Sequence, residues 1–164
     1  MKGSFFKYLL LFSIVAVVTY ACVKKTSYPT SPTIEFSEFT PFVGDSADLK
    51  INFTDGDGDI GVAENDSTRT FWYTYYYLDT LTHKYRGYVT TNLITGLEDT
   101  LRNSYTIKSP SDSYKGKPIS GEISVRLQKF RHSKKVKNLK YVFYLFDEAG
   151  NKSNIVTTPE ITVQ

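Results

Sequence analysis

Only one cysteine, Cys22, occurs in the 164 residues, so the chain has no internal disulfide framework and no multi-thiolate zinc or iron-sulfur centre. Two histidines, His83 and His132, are too few for an all-histidine metal site. Both fall in turn-like sequence with no nucleophile motif beside them, and catalysis is not expected. A glycosidase-type pair of carboxylates is defined by its separation in space, so the sequence leaves that one option open. Charge of one sign is also scarce. Lys2 and Lys7 account for two of the 20 basic residues and have no acid near them, which leaves 18 against 17 acids in residues 22–164. Nucleic-acid binding driven by bulk charge is excluded on that balance.

Long apolar runs are missing too, with one exception. Lys2 and Lys7 precede Tyr8 to Val18, followed by Thr19, Tyr20, Ala21 and Cys22. A basic start, a short apolar run and a small residue before the cleavage point make residues 1–21 a secretory signal peptide. As a helix the run would extend roughly 16 Å, about half of a bilayer core, so cleavage is expected rather than an uncleaved span. The single cysteine of an exported chain directly after a small residue resembles the lipobox of bacterial lipoproteins. That resemblance implies diacylation of Cys22 and anchoring in a membrane. Thr19 and Ala21 equally fit ordinary signal peptidase, which would leave a free thiol. Residues 22–33, the lipidated cysteine and V-K-K-T-S-Y-P-T-S-P-T, hold two Pro and five Ser or Thr and read as a flexible tether. No acidic residues stand just after the cysteine, and by resemblance to lipoproteins of the Bacteroides-like lineage this favours an outer-membrane anchor facing the periplasm over the cell surface.

From residue 34 to 164 the apolar period is two. Leu49, Ile51 and Phe53 alternate with polar neighbours, as do Ile123, Val125 and Leu127, whereas Tyr141 to Phe146 is apolar on both faces. Further strands are expected at 33–39, 70–79, 85–93, 100–107 and 154–163, the last broken near Pro159, with Gly, Asn and Pro turns between them. Seven to eight short strands and one early tryptophan point to an all-β, immunoglobulin-like antiparallel sandwich with Trp72 in its core. A lipocalin-like barrel is the alternative.

Asp55 to Gly61 reads D-G-D-G-D-I-G. Alternate carboxylates separated by glycine concentrate hard oxygen ligands, for which calcium is the natural counter-ion. The loop resembles the calcium loops of EF-hands and dockerins. The resemblance implies ligands at Asp55, Asp57, Asp59, the Gly61 carbonyl and Asp66, although Ile60 stands where an EF-hand has glycine and the flanks are strand-like. A plain Gly-Asp turn with solvated carboxylates explains the same residues. The segment F-T-D-G-D-G-D-I-G is also similar to a motif of exported lipoproteins of Bacteroides-like bacteria, which implies a family but no activity.

Phe146 to Ser153 is similar to the D-x-A-G-N-x-S turn that closes the last hairpin of bacterial immunoglobulin-like domains. Turn chemistry alone explains these residues, with Gly150 and Asn151 tolerating positive φ and Asp147 bonding the turn backbone. In the immunoglobulin-like topology the turn and the acidic loop also share one end, which makes Asp147, Glu148 or Asn151 candidates to complete the ligand shell. Phe71 to Tyr77 carries aromatic rings on both parities. Tyr73, Tyr75 and Tyr77 are the candidate ligand face, for a sugar or an envelope protein, against the simpler role of good strand residues. Lys129 to Lys140 has six basic residues and no acid, and reads either as a solvated far-end loop or as a contact for anionic lipid or polymer. The function expected is a lipid-anchored accessory or binding module of the cell envelope, calcium-stabilised and non-catalytic. The alternative is a glycan-binding component of an outer-membrane uptake system.

Overall fold

A computed structural model describes residues 27–164, and Cys22 and the signal segment lie outside the described residues. The strands are β1 (Thr33–Pro41), β2 (Ala47–Asp55), β3 (Phe71–Asp79), β4 (Lys84–Gly87), β5 (Val89–Thr91), β6 (Glu98–Thr100), β7 (Arg102–Tyr105), β8 (Ile119–Leu127), β9 (Asn138–Leu145), β10 (Val156–Thr157) and β11 (Ile161–Thr162). Among the described residues a single 3-10 turn occupies Asp112–Tyr114. All eight strand segments expected from the sequence are present. Three of them are each cut in two, which brings the number to eleven.

Two antiparallel sheets pack face to face. One has the order β1-β2-β8 and the other β10-β9-β3-β4, with β11 also on β9 and β7 also on β3. This is the A-B-E and G-F-C-C′ arrangement of an immunoglobulin-like sandwich, with two separate sheets rather than a closed barrel. Period-two burial drives it. Ala47, Leu49, Ile51 and Phe53 of β2 face Phe71, Tyr73 and Tyr75 of β3 and Leu139, Tyr141, Phe143 and Leu145 of β9, all within one buried cluster. Each such large side chain contributes about 1.5–3 kcal/mol on burial. The Asn154 side chain ties the sheets at one corner, donating to the Ile34 carbonyl and accepting from its N–H at 2.9 and 2.8 Å.

β3 has one edge shared between two short strands. β4 pairs with Tyr76–Asp79 and β7 with Phe71–Thr74. Between them the chain leaves the sheet as the β5–β6 hairpin, whose tip exposes Leu93 and Ile94 almost completely. That excursion is why the expected strands 85–93 and 100–107 are interrupted.

The structure makes two corrections. Trp72 is not a core residue. Register with β9 puts Phe71, Tyr73 and Tyr75 opposite Leu145, Phe143 and Tyr141, so the odd parity is buried and Trp72 lies half-buried on the outer face beside Tyr144. The body also begins before residue 34. Thr33 already pairs with Thr54, Pro32 is buried, and the backbone of Tyr28 and Pro29 lies on the acidic loop. The last part of the expected tether therefore belongs to the body.

Candidate metal centre

The alternation that builds the core also builds the site. Inward positions of β2 run Ala47, Leu49, Ile51, Phe53 and then Asp55, which is fully buried. Inward positions of β9 run Leu139, Tyr141, Phe143, Leu145 and then Asp147, 3% exposed. One strand from each sheet thus leads its apolar parity onto a carboxylate, Asp55 at the end of β2 and Asp147 two residues beyond β9, both at the same end of the sandwich.

Beyond Asp55 the glycines fold the chain tightly. Asp55, Asp57 and Asp59 each bring a carboxylate oxygen to within 4.8 Å of the others. That is the span across a calcium ion at bond lengths of about 2.4 Å. The Asp59 N–H donates to Asp55 Oδ2 at 3.0 Å, and the Ala149 N–H donates to Asp59 Oδ2 at 3.1 Å. Of the four remaining oxygens, Asp55 Oδ1, Asp57 Oδ1 and Asp59 Oδ1 are sealed from water without any hydrogen-bond partner. Such orphaned anionic oxygens cost free energy unless a cation meets them. Their electrostatics agree. Burial first, then the Asp57 and Asp147 charges, holds the Asp55 carboxyl above its ordinary value. Burial, followed by the Asp147, Asp57 and Asp55 charges, pushes Asp59 up to about 6. The three carboxylates form a cluster fit to hold a metal ion, as a solvated turn would not.

The glycines in the motif leave room for other backbones. At Gly58, with φ of +69°, a Cβ would stand 2.6 Å from the Lys117 carbonyl oxygen and nearer still to that of Tyr114. At Gly56 it would stand 2.5 Å from the Pro29 carbonyl oxygen. The 3-10 turn segment is also held by a 2.5 Å bond from the Gly116 N–H to the Asp57 carbonyl. Together with the Glu148 N–H on the Asp59 carbonyl at 3.0 Å, these contacts gather several distant segments around one loop.

The remaining expected ligands divide. Asp66 is not in the cluster: its carboxylate accepts from the Thr68 N–H and hydroxyl, both at 2.7 Å. The reason lies at Gly61 and Val62. Gly61, at φ +79°, packs on the Lys108 backbone, and Val62 bridges to the same segment through bonds to Ile107 and Ser109. The chain is drawn away there instead of curling round an ion as an EF-hand does. The Lys108 ammonium occupies the second half of the loop, donating to the carbonyls of Ala63, Glu64 and Asp66.

Asp147 does reach the acidic loop as a charge, but its oxygens are taken by the Asn151 N–H and Nδ2, at 2.7 and 2.9 Å. Glu148 pairs with Lys115 at 2.6 Å. Asp147, Glu148 and Asn151 therefore form a wall beside the carboxylates and supply none of the three gathered oxygens. The burial parity of β9 was the sequence signal for Asp147.

The proposed Tyr73, Tyr75 and Tyr77 face is corrected. Tyr73 and Tyr75 are 8% and 7% exposed, and Tyr77 is half-buried against His132 at 4.7 Å between ring centroids. These rings are core and cannot present a flat surface to a sugar. The basic segment lies at the end opposite the acidic loop, and part of it turns inward. Arg131 is buried, pairs with Asp45 at 2.8 Å and donates to the Gln164 carbonyl.

Among the described residues no helix is long and apolar enough to cross a membrane. The fold and site define an immunoglobulin-like β-sandwich with a tri-aspartate cluster at one end. Compared with protein-family models, curated proteins and solved structures, the chain matches none.

Proposed function

We propose that this chain is an exported module of the cell envelope, held to the outer membrane through an acylated Cys22, whose sandwich is braced by a calcium ion on Asp55, Asp57 and Asp59 and which works by binding rather than by catalysis. The observation that carries the ion is the set of three water-sealed carboxylate oxygens without partners. Calcium is favoured over magnesium because a loop of mixed carboxylates and crowded backbone supplies irregular geometry, which magnesium tolerates poorly. Periplasm-facing attachment is supported by the absence of acids in residues 23–33, directly after Cys22.

The test is thermal melting in calcium and in chelator. Exported modules bind calcium at about 10⁻⁴–10⁻³ M. At 100 times the dissociation constant the gain is about 2.7 kcal/mol, read as a higher melting temperature in calcium than in chelator. No shift at 10 mM calcium would return the loop to a plain turn. The anchor is tested separately: Cys22→Ser is expected to move the chain from the membrane to the soluble fraction, and a membrane-bound variant would remove acylation from the account.

A further inference from the structure

We propose that the outer face of the larger sheet, at the end beside the acidic loop, is a binding cleft for an acidic sugar, a uronate unit of a polysaccharide. This assigns a ligand class to the binding role above and rests on that role, but not on the cation.

Trp72 and Tyr144 are register partners on β3 and β9, so their side chains lie next to each other on the outer face. Phe146 meets Tyr144 edge-on with centroids 5.7 Å apart. These three rings floor an open cleft of about 570 Å³, within the range of small-molecule sites. The chain has a single tryptophan and places it here, half-buried, where core packing does not require it. A flat ring on an open sheet face stacks on the apolar face of a sugar while the sugar hydroxyls stay in water.

The charges select the sugar. Three of the five arginines are paired internally, Arg86 with Asp79, Arg126 with Asp48 and Arg131 with Asp45. The other two, Arg69 and Arg102, line this cleft and have no ion pair or side-chain hydrogen bond among the described residues. The Lys152 ammonium, outside the lining of the cleft, sits 3.9 Å over the Tyr144 ring and leaves Trp72 as the plate for stacking. Of the acids in the same cleft, Glu148 is ion-paired with Lys115, while Asp66 and Asp147 are held by the neutral donors Thr68 and Asn151 and keep their charge. The cleft therefore offers two guanidinium groups without internal partners, beside two carboxylates whose hydrogen bonds to Thr68 and Asn151 fix them in place. Guanidinium pairs bidentately with a carboxylate, and a ring that carries one satisfies both the plate and the charge.

Trp72 reports on its own site, since no other indole contributes to emission. Titrating the detergent-solubilised chain with trigalacturonate, in chelator, is expected to change the emission saturably, with maltotriose binding at least tenfold more weakly. Trp72→Ala, followed by electrophoresis through polygalacturonate, and the double change Arg69→Gln with Arg102→Gln, followed by emission, should each weaken binding by about tenfold, equivalent to about 1.4 kcal/mol. Circular dichroism and melting identify any variant that has unfolded, and Trp72→Phe then serves in place of Trp72→Ala. The proposal is overturned if neither emission nor mobility changes with trigalacturonate. It is also overturned if a sulfated polymer binds equally well to the Trp72→Ala and unmodified chains, which would reduce the cleft to a patch of charge. Binding in chelator without any calcium-dependent melting shift would uphold this cleft while the cation reading fails.

Discussion

Replacing Gly58 by alanine is expected to lower stability by about 3 kcal/mol or more, on the order of 10 °C in melting temperature for a body of this size. Two costs combine. The backbone at φ +69° disfavours any side chain by about 1–2 kcal/mol, and the new methyl would collide with the Tyr114 and Lys117 carbonyls. Gly150→Ala is the control. It has φ of +86° but open space around it, so only the first cost applies. Thermal melting of the two variants in chelator separates them, and equal losses would mean that the crowding around Gly58 carries no energy.

The second large effect changes sign with the ion. In the ion-free protein, Asp59→Asn is expected to raise the melting temperature, because it removes a carboxylate held near three others. In calcium the same variant is expected to lose most of the calcium-dependent gain. A dissociation constant about 50-fold weaker would leave about 0.6 kcal/mol under conditions that give 2.7 in the unmodified chain. The pH dependence follows from the same group. The folded value of about 6 lies above the ordinary 3.8, so the folded state holds the proton more tightly. The resulting stability is complete below about pH 4 and is lost as pH rises through 6. Ion-free protein should therefore melt progressively lower from pH 4 to pH 7, calcium should abolish that slope, and Asp59→Asn should flatten it in chelator. A flat profile for the unmodified ion-free chain would show that Asp59 is solvated.

The sandwich was legible because strands announce themselves by alternation, and β2 and β8 alternate cleanly between apolar and polar residues. The face of β3 was not. F-W-Y-T-Y-Y-Y is aromatic on both parities, and the choice between them is made by register with β9, a long-range pairing that leaves no local trace. The acidic cluster was legible at positions 55, 57 and 59, where spacing alone brings the oxygens together. It was not legible at Asp66, because the bridge between Val62 and Lys108 that diverts the loop joins residues 46 apart in the chain. The wall formed by Asp147 was legible in principle, since β9 continues its inward parity directly onto it. The cleft on Trp72 was hidden by the same ambiguity that placed that ring in the core.

The path by which the chain reaches its first strand has a mechanical consequence. Tyr28 and Pro29 cross Gly56 before β1 begins, while the C-terminal Gln164 is held at the opposite end by Arg131. Tension on the chain at Tyr28 would load the tri-aspartate loop before it reached the eight-pair β1–β2 ladder, and would then shear that ladder along its length rather than unzip it. An ion seated there would stiffen the crossing of Tyr28 and Pro29 over Gly56, making the pulling strength of the body depend on a dissolved cation.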